Sequence, residues 1–429
     1  MRKIILIVLA IIILPSLAIL SGAFRTTQLS PDIYQPLSAE RMEALKPRGR
    51  ELTLAGDCFG CHSLAKGPMG AGGLPIDTPM GTIYSSNITP DPTYGIGRYS
   101  RADFHRAVRE GINASDRNLY PAMPYVYTQI TTPEDVDAIY SYIMSIPPVA
   151  KEVPANTGVF QFPLRSFMNF WTLLNVPARQ APNEPSRPPA WNRGAYLVEG
   201  LGHCGSCHTP MNVMMGPDFA RSLDGAIIDG QEAPSLKADV LAAQGFDVAS
   251  LTNFLATGIS PQGTSFGQMH TVTHFSTSAM ERSDVEAIAT YLMTSADGTI
   301  PAPANPPDPQ PESFQPAADG SDPGRVVFVE ACAGCHGMTG EGIPNVAPPM
   351  RGNATITLAN PLNLLSVIVN GVPDQTFAGN QRMYAMPPFA HSLSDEQIAE
   401  LATWMRTQWG GHSEPVAVAE VNKLPRPVD

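Results

Sequence analysis

The sequence predicts a mainly α-helical chain of three tandem domains, with long loops inside each and Pro-rich linkers between them. Three observations carry that reading. A Cys-x-x-Cys-His motif occurs three times, as Cys58-Phe59-Gly60-Cys61-His62, Cys204-Gly205-Ser206-Cys207-His208 and Cys332-Ala333-Gly334-Cys335-His336, and it uses all 6 cysteines. Behind each motif, after a Gly/Pro-rich stretch, comes an amphipathic segment of one design. Val136, Ile139, Tyr142 and Ile143 align with Val285, Ile288, Tyr291 and Leu292, and then with Ile398, Leu401, Trp404 and Met405. Third, proline concentrates between the repeats, at Pro182, Pro185 and Pro188 and again from Pro301 to Pro323.

Each element follows from local chemistry. The i, i+3, i+6, i+7 spacing of the closing segments puts one apolar stripe on one helix face. Acidic residues stand in their first turns (Glu134 and Asp135; Asp284; Asp395 and Glu396), where the helix dipole favours them. A short apolar stretch, such as Arg193-Gly194-Ala195-Tyr196-Leu197-Val198, leads into each cysteine pair. The linkers are proline-rich spacers, semi-extended in the second case. Domains are therefore expected at 38–176, 190–300 and 320–412, with 413–429 a surface extension that lacks apolar periodicity. A length of 429 residues with 43 Pro and 36 Gly fits several loop-rich domains.

The amino terminus reads as an export signal. Arg2 and Lys3 precede an apolar run from Ile4 to Leu20, and Ser21-Gly22-Ala23 offers small residues for cleavage before Phe24. Residues 1–23 are expected to be removed, the alternative being retention as an anchor. The net charge of −12 excludes nucleic acid as a partner, since phosphate is met by Lys and Arg.

The repeated motif specifies the chemistry. An even cysteine count in an exported chain would ordinarily mean disulfides. Here each pair is followed at once by a histidine, His62, His208 or His336. One turn of backbone presents two thiols to the two vinyl groups of a haem, and the imidazole that follows falls beneath the iron. Three covalent c-type haems are expected, attached through Cys58 and Cys61, Cys204 and Cys207, and Cys332 and Cys335. A zinc ribbon would pair two Cys-x-x-Cys units at much closer range than these. Met123 and Met269, each 61 residues after its histidine, and Met386, in a Tyr-Ala-Met-Pro context like that of Tyr120-Pro121-Ala122-Met123-Pro124, are the candidate sixth ligands. Their rivals are Met280, Met383 and His270. His203 is expected at the surface near a haem edge. Twelve residues after His336, Pro348 resembles in position the proline of simple mitochondrial-type cytochromes c, and that resemblance makes its carbonyl the candidate partner for the second ring nitrogen of His336; at the other two sites the loops are longer and no partner is assigned. There is no Ser/His/Asp triad, phosphate loop or acid pair, so no catalytic residue is assigned.

Beyond these motifs, Ala55-Gly56-Asp57-Cys58, Gly81-Thr82-Ile83-Tyr84, Asn87-Ile88-Thr89-Pro90-Asp91 and Asn118-Leu119-Tyr120-Pro121-Ala122-Met123-Pro124-Tyr125 carry a resemblance. So do His203 to Pro210, Met386-Pro387-Pro388-Phe389-Ala390 and Leu393-Ser394-Asp395. Over roughly residues 45–410 the chain resembles the three-haem cytochrome c subunit of membrane-bound periplasmic dehydrogenases, best known with quinoprotein alcohol dehydrogenase. Met211-Asn212 departs from the basic residue that relatives often place after Thr-Pro. The resemblance implies tandem class I cytochrome c domains and an electron-transfer role. Electrons would come from a catalytic dehydrogenase subunit oxidising an alcohol, aldehyde, sugar or polyol, and pass to ubiquinone or a respiratory oxidase at the periplasmic face of the inner membrane. A peroxidase-like multihaem enzyme and a haem subunit of a terminal oxidase are the alternatives. The apolar stretch Phe160 to Val176, with Phe162, Phe167, Phe170, Trp171, Leu173 and Leu174, is either packing between domains or an exposed patch for a partner subunit or the membrane surface.

Overall fold

The computed structural model describes residues 29–161, 164–305 and 322–426. The expected export segment, Phe162 and most of the second linker lie outside them. Among the described residues helices dominate, and the sheets are four two-stranded antiparallel hairpins. No described helix is long and apolar enough to cross a membrane. The chain gathers into two compact units. Of the described residues, one holds those up to Pro185 together with Ala195–Ser206 and Met211–Pro217; the other holds Ser186–Gly194, Cys207–Pro210 and those from Asp218 onward.

In the first unit, α1 (Ala39–Ala55) begins where the Ser38 side chain accepts the Arg41 N–H, and it ends at Gly56. A short α2 (Cys58–His62) carries the first motif. The hairpin β1 (Pro75–Thr78) and β2 (Gly81–Tyr84) follows, then α3 (Arg101–Glu110), held by a capping box between Ser100 and Asp103. The closing helix α4 (Pro133–Ile143) starts on a Thr132 cap with Pro133 in its first turn and buries Val136, Ile139 and Ile143, three of the four stripe residues expected from the sequence. Asp135 in its first turn pairs with Arg48 and accepts a 2.7 Å hydrogen bond from the Tyr196 hydroxyl. The stretch left open between packing and exposure forms α5 (Phe167–Asn175). Phe167 and Leu173 are each 58% exposed, and Phe170 and Leu174 are exposed beside them. Trp171 Nε1 donates to the Met214 carbonyl at 2.8 Å, and Asn175 accepts from Asn212, so the loop 211–216 lies against this helix with Met211, Val213, Met214 and Met215 also exposed.

Helix α6 (Pro189–Tyr196) runs on through a π turn at Leu197–Leu201 to α7 (Gly205–His208), which carries the second motif; this stretch of chain is divided between the two units. In the second unit come the hairpin β3 (Ala226–Ile228) and β4 (Gln231–Ala233), then α8 (Val248–Thr257), α9 (Gly267–Phe275) and the closing helix α10 (Arg282–Leu292), which buries Val285, Ile288 and Leu292. The last part repeats the plan. A short α11 (Pro323–Val327) runs through a π turn at Phe328–Cys332 into α12 (Ala333–His336), and α13 (Leu362–Asn370) precedes the closing helix α14 (Asp395–Trp409). Most of the segment expected as a domain at 190–300 and the described residues of 320–412 fall in this unit, Ala195–Ser206 and Met211–Pro217 being grouped with the first, and polar contacts link the two segments. The Ala354 N–H reaches the Gln262 carbonyl at 2.8 Å, and the Asn363 amide pairs with the Glu232 backbone in both directions. The tail expected as a surface extension instead folds back. A short α15 (Val418–Val421) and its flanks bury Val416, Val421 and Leu424 in the same core as Phe328, Trp404 and Trp409. Three apolar residues spread over nine positions give no period to detect.

Three helix crossings share one geometry that is absent from the sequence reading. A Cβ on Gly49 would stand 1.9 Å from the Ala138 carbonyl oxygen and 2.8 Å from Cβ of Tyr142; on Gly194, 1.9 Å from the Ala287 oxygen and 2.8 Å from Cβ of Tyr291. On Gly324 it would stand 2.2 Å from the Glu400 oxygen and 2.6 Å from Cβ of Trp404. Each leading helix thus crosses its closing helix backbone to backbone, at a position only glycine fits. Beside two of these glycines an arginine pairs with the first turn of the closing helix, Arg48 with Asp135 and Arg193 with Asp284.

Candidate haem sites

The first motif lies wholly on the short helix α2, and the second and third end on the short helices α7 and α12, with Cys204 and Cys332 immediately before them. The backbone before the first two motifs is in the left-handed region, at Asp57 (φ 44°) and His203 (φ 37°), a conformation that costs a non-glycine residue about 1–2 kcal/mol. Both residues turn the chain sharply from leading helix to motif. His203 is not at the open surface as expected: it is half-buried, and its Nε2 lies 3.3 Å from the Gly56 carbonyl, just ahead of the first motif.

The three histidines are held in the same way. Nδ1 of His62 lies 2.7 Å from the Ser86 carbonyl, that of His208 lies 2.6 Å from the Pro234 carbonyl, and that of His336 lies 2.9 Å from the Pro348 carbonyl. The Pro348 partner is the one expected from the sequence. With the ring N–H engaged at Nδ1, the lone pair is left on Nε2, as a metal ligand requires. Each histidine's own carbonyl then accepts a 2.8 Å hydrogen bond from a glycine N–H: Gly72, Gly225 and Gly342 respectively. All three glycines have positive φ, and a Cβ there would strike the segment that supplies the ring's partner carbonyl, or its flank. Burial lowers the pKa of all three imidazoles, so each is held neutral.

The sequence reading assigns neither the glycine clamp nor the carbonyl at the first two sites, yet signals exist. Ser86 and Pro234 each lie just beyond the second strand of a hairpin, and the second hairpin turns at Asp229-Gly230, both with positive φ. An Asp-Gly pair between short apolar runs is a strong hairpin signal.

The donor set suits a covalently attached haem better than the alternatives. No disulfide joins any of the 6 cysteines. Among the described residues no group of three His, Cys, Asp or Glu side chains is arranged to hold a metal ion. Burial pushes the Cys58 and Cys332 thiols up to about 12, the nearby Asp57 and Cys61 adding at Cys58 and Cys335 at Cys332.

The three candidate methionines are all half-buried. Met123 is held in a tight turn, its N–H on the Tyr120 carbonyl and its carbonyl accepting from Tyr125. Met386 pairs with Val372 in an antiparallel bridge and packs against the core that contains Cys332. Met269 lies in the first turn of α9, whereas Met280 stands on extended backbone just before α10. The His270 ring packs against Phe377, 5.0 Å between centroids, and against His274.

Helical segments closing over Cys-x-x-Cys-His turns, with the histidine held by a main-chain carbonyl, define a c-type cytochrome. The cytochrome c family model matches residues 47–147 and 321–409. The chain is 38% identical over 404 residues to the cytochrome c subunit of the quinone-type alcohol dehydrogenase of Gluconacetobacter polyoxogenes, covering 89% of this chain and 84% of that one. It is 35% identical to the cytochrome c subunit of gluconate 2-dehydrogenase of Pantoea cypripedii, covering 88% of each. It is also 41% identical over 389 residues to one of the subunits of nicotinate dehydrogenase of Pseudomonas putida; that match takes in 88% of this chain and spans 32% of the longer relative. The chain belongs to the family of electron-transferring cytochrome c subunits of quinone-linked dehydrogenases.

Proposed function

We propose that this chain carries three covalent haems c and relays electrons from a catalytic dehydrogenase subunit to ubiquinone or a respiratory oxidase, at the periplasmic face of the inner membrane after export. The observation that carries the count is the threefold histidine clamp, with its ring-to-carbonyl and glycine-to-carbonyl bonds at every motif. The three glycine-dependent helix crossings support three cytochrome c domains at about 38–176, 190–300 and 320–412. When bound, a c-type haem supplies a one-electron couple at iron whose potential depends on the axial ligands. The chain's own contribution is attachment by the cysteine pairs, a proximal imidazole from His62, His208 and His336, and a thioether from Met123, Met269 and Met386. Soft sulfur favours the ferrous state and raises the potential.

The axial test uses the full chain. Replacing Met123, Met269 or Met386 with His is expected to keep three haems per chain, lower one potential each and abolish one share of the sulfur-to-iron charge-transfer band. Met280→Leu and Met383→Leu should change neither. Loss of the band in Met280→Leu but not in Met269→His would reassign the second site.

The exposed face of α5 supports a membrane surface as a further partner. Phe167, Phe170, Leu173 and Leu174 project beside Met211, Val213, Met214 and Met215, and neither α5 nor residues 211–217 contains an acidic residue in a chain of net charge −12. Such a face suits the lipid interface, where aromatic side chains are favoured. Changing the four α5 residues to Ser in the processed chain should cut partition into liposomes at least tenfold, measured by flotation; unchanged flotation would assign the face elsewhere.

A further inference from the structure

Two arms of chain support the second candidate haem site. One is the β3–β4 hairpin, which leads to Pro234, the carbonyl partner of the His208 ring. The other is α9, with Met269 in its first turn. The arms meet where the Gln268 amide donates to Asp229 and where the Gln231 side chain fills the space beside Gly267. Each arm is also tied to the segment that carries the third motif. Glu232 of β4 exchanges two hydrogen bonds of 2.8 Å with Asn363 of α13. On α9 the His270 ring meets the Phe377 ring edge to face, with 5.0 Å between centroids.

Phe377 is held firmly enough to act as a fixed wall. It ends the strand Gln375–Phe377, pairs there with Gln381 and is only 6% exposed. Its ring takes the space that a side chain at Gly258 would need, since a Cβ there would stand 2.6 Å from ring atom Cδ1. Gly258 caps α8, its carbonyl accepts the Ser265 N–H at 2.8 Å, and the Ser265 hydroxyl shares a 2.7 Å hydrogen bond with Thr273 of α9. The ring is thus wedged between the end of α8 and the start of α9. His270 depends on that wall. Its Nδ1 is buried with no hydrogen-bond partner, so that nitrogen gives the imidazole no anchor, and the rings of Phe377 and His274 pack against it instead.

We propose that Phe377 is a positioning residue for the second haem: reaching in from the segment that binds the third, it seats His270 and so fixes where the neighbouring Met269 sulfur stands. This rests on the reading of Met269 as the sixth ligand. Met269 and His270 share one helical turn, and a close-packed interior transmits a shift of one to the other. A thioether is a neutral donor, so its hold on iron depends on how well the surrounding residues keep the sulfur in place. The strand that pairs with Phe377 runs on through Tyr384 to Met386, which bridges to Val372. One hairpin therefore supports the distal residues of two sites.

The test is a spectroelectrochemical titration of the full chain, with Met269→His and Met386→His identifying the steps of the second and third haems. Phe377→Ala should lower the second step by at least the equivalent of a tenfold change in the ferric-to-ferrous ratio, about 59 mV for one electron. It should also weaken the sulfur-to-iron charge-transfer band, and the third step should move less than the second. Phe377→Leu, which keeps apolar bulk, should give a smaller shift. His270→Ala removes the seat from the other side without touching the third segment, and should lower the same step. The double variant should fall no further than the larger single one, since both remove one contact. If Phe377→Ala loses a haem, Phe377→Leu and His270→Ala decide the matter. An unmoved second step, or a third step that moves as much, overturns the proposal and leaves the ligand reading standing. So do additive shifts, which would mean two separate contacts. If Met269→His moves no step, or His270→Ala raises the second, the ligand reading fails and this proposal falls with it.

Discussion

Gly324→Ala should unfold the carboxy-terminal haem region at temperatures where the rest of the protein remains intact. The added methyl would sit 2.2 Å from the Glu400 carbonyl oxygen and 2.6 Å from Cβ of Trp404, backbone and near-backbone atoms that cannot rotate away. Overpacking a core usually costs about 1–3 kcal/mol, and this contact is closer than those cases. Separating the helices would also loosen Phe328, Trp404 and Trp409, whose rings meet at 5.0–5.1 Å. Against a typical domain stability of about 5–15 kcal/mol, a loss of about 3 kcal/mol or more is large. Visible circular dichroism on heating should show one haem environment lost early. The control is Gly334→Ala, inside the third motif, where an added Cβ meets nothing within 4 Å. Equal melting of the two variants would mean the crossing tolerates a side chain.

Changing Cys58 and Cys61 together to Ala should remove one haem of three and sever electron flow through the chain. The remaining His62 would keep its bond to Ser86, but a single axial pair without thioether links holds the cofactor only reversibly. Pyridine haemochrome analysis should fall from three to two covalent haems per chain, and quinone reduction coupled to the native dehydrogenase should drop by orders of magnitude. An unchanged haem count would show that the first motif is normally empty. Full quinone reduction with two haems would place the first haem outside the electron path.

The sequence made the chemistry legible and left part of its support unread. The cysteine pairs, their histidines and the closing stripes could be read because each depends on spacing along one segment, as in Val136, Ile139 and Ile143. Pro348 was legible because, twelve residues after His336, it resembles in position the proline of simple mitochondrial-type cytochromes c. Ser86 and Pro234 were not, since the partner carbonyl lies 24 and 26 residues after the histidine and depends on where a hairpin ends. Any residue can supply a carbonyl, so no side chain marks the position. The crossing glycines were hidden for a related reason: their role is the absence of a side chain opposite Ala138, Ala287 and Glu400, far away in sequence. Phe377 needed the fold to bring it against His270, and the burial of Val416, Val421 and Leu424 arises wholly from tertiary contact.

The two cysteines of the third motif have opposite surroundings. Cys332 is 9% exposed within the core cluster that also holds Phe328, Trp404 and Trp409, while Cys335, like Cys61 in the first motif, faces outward. One sulfur of the pair thus belongs to the interior of its unit and the other to its rim, so the motif ties what the core packs to what the surface presents.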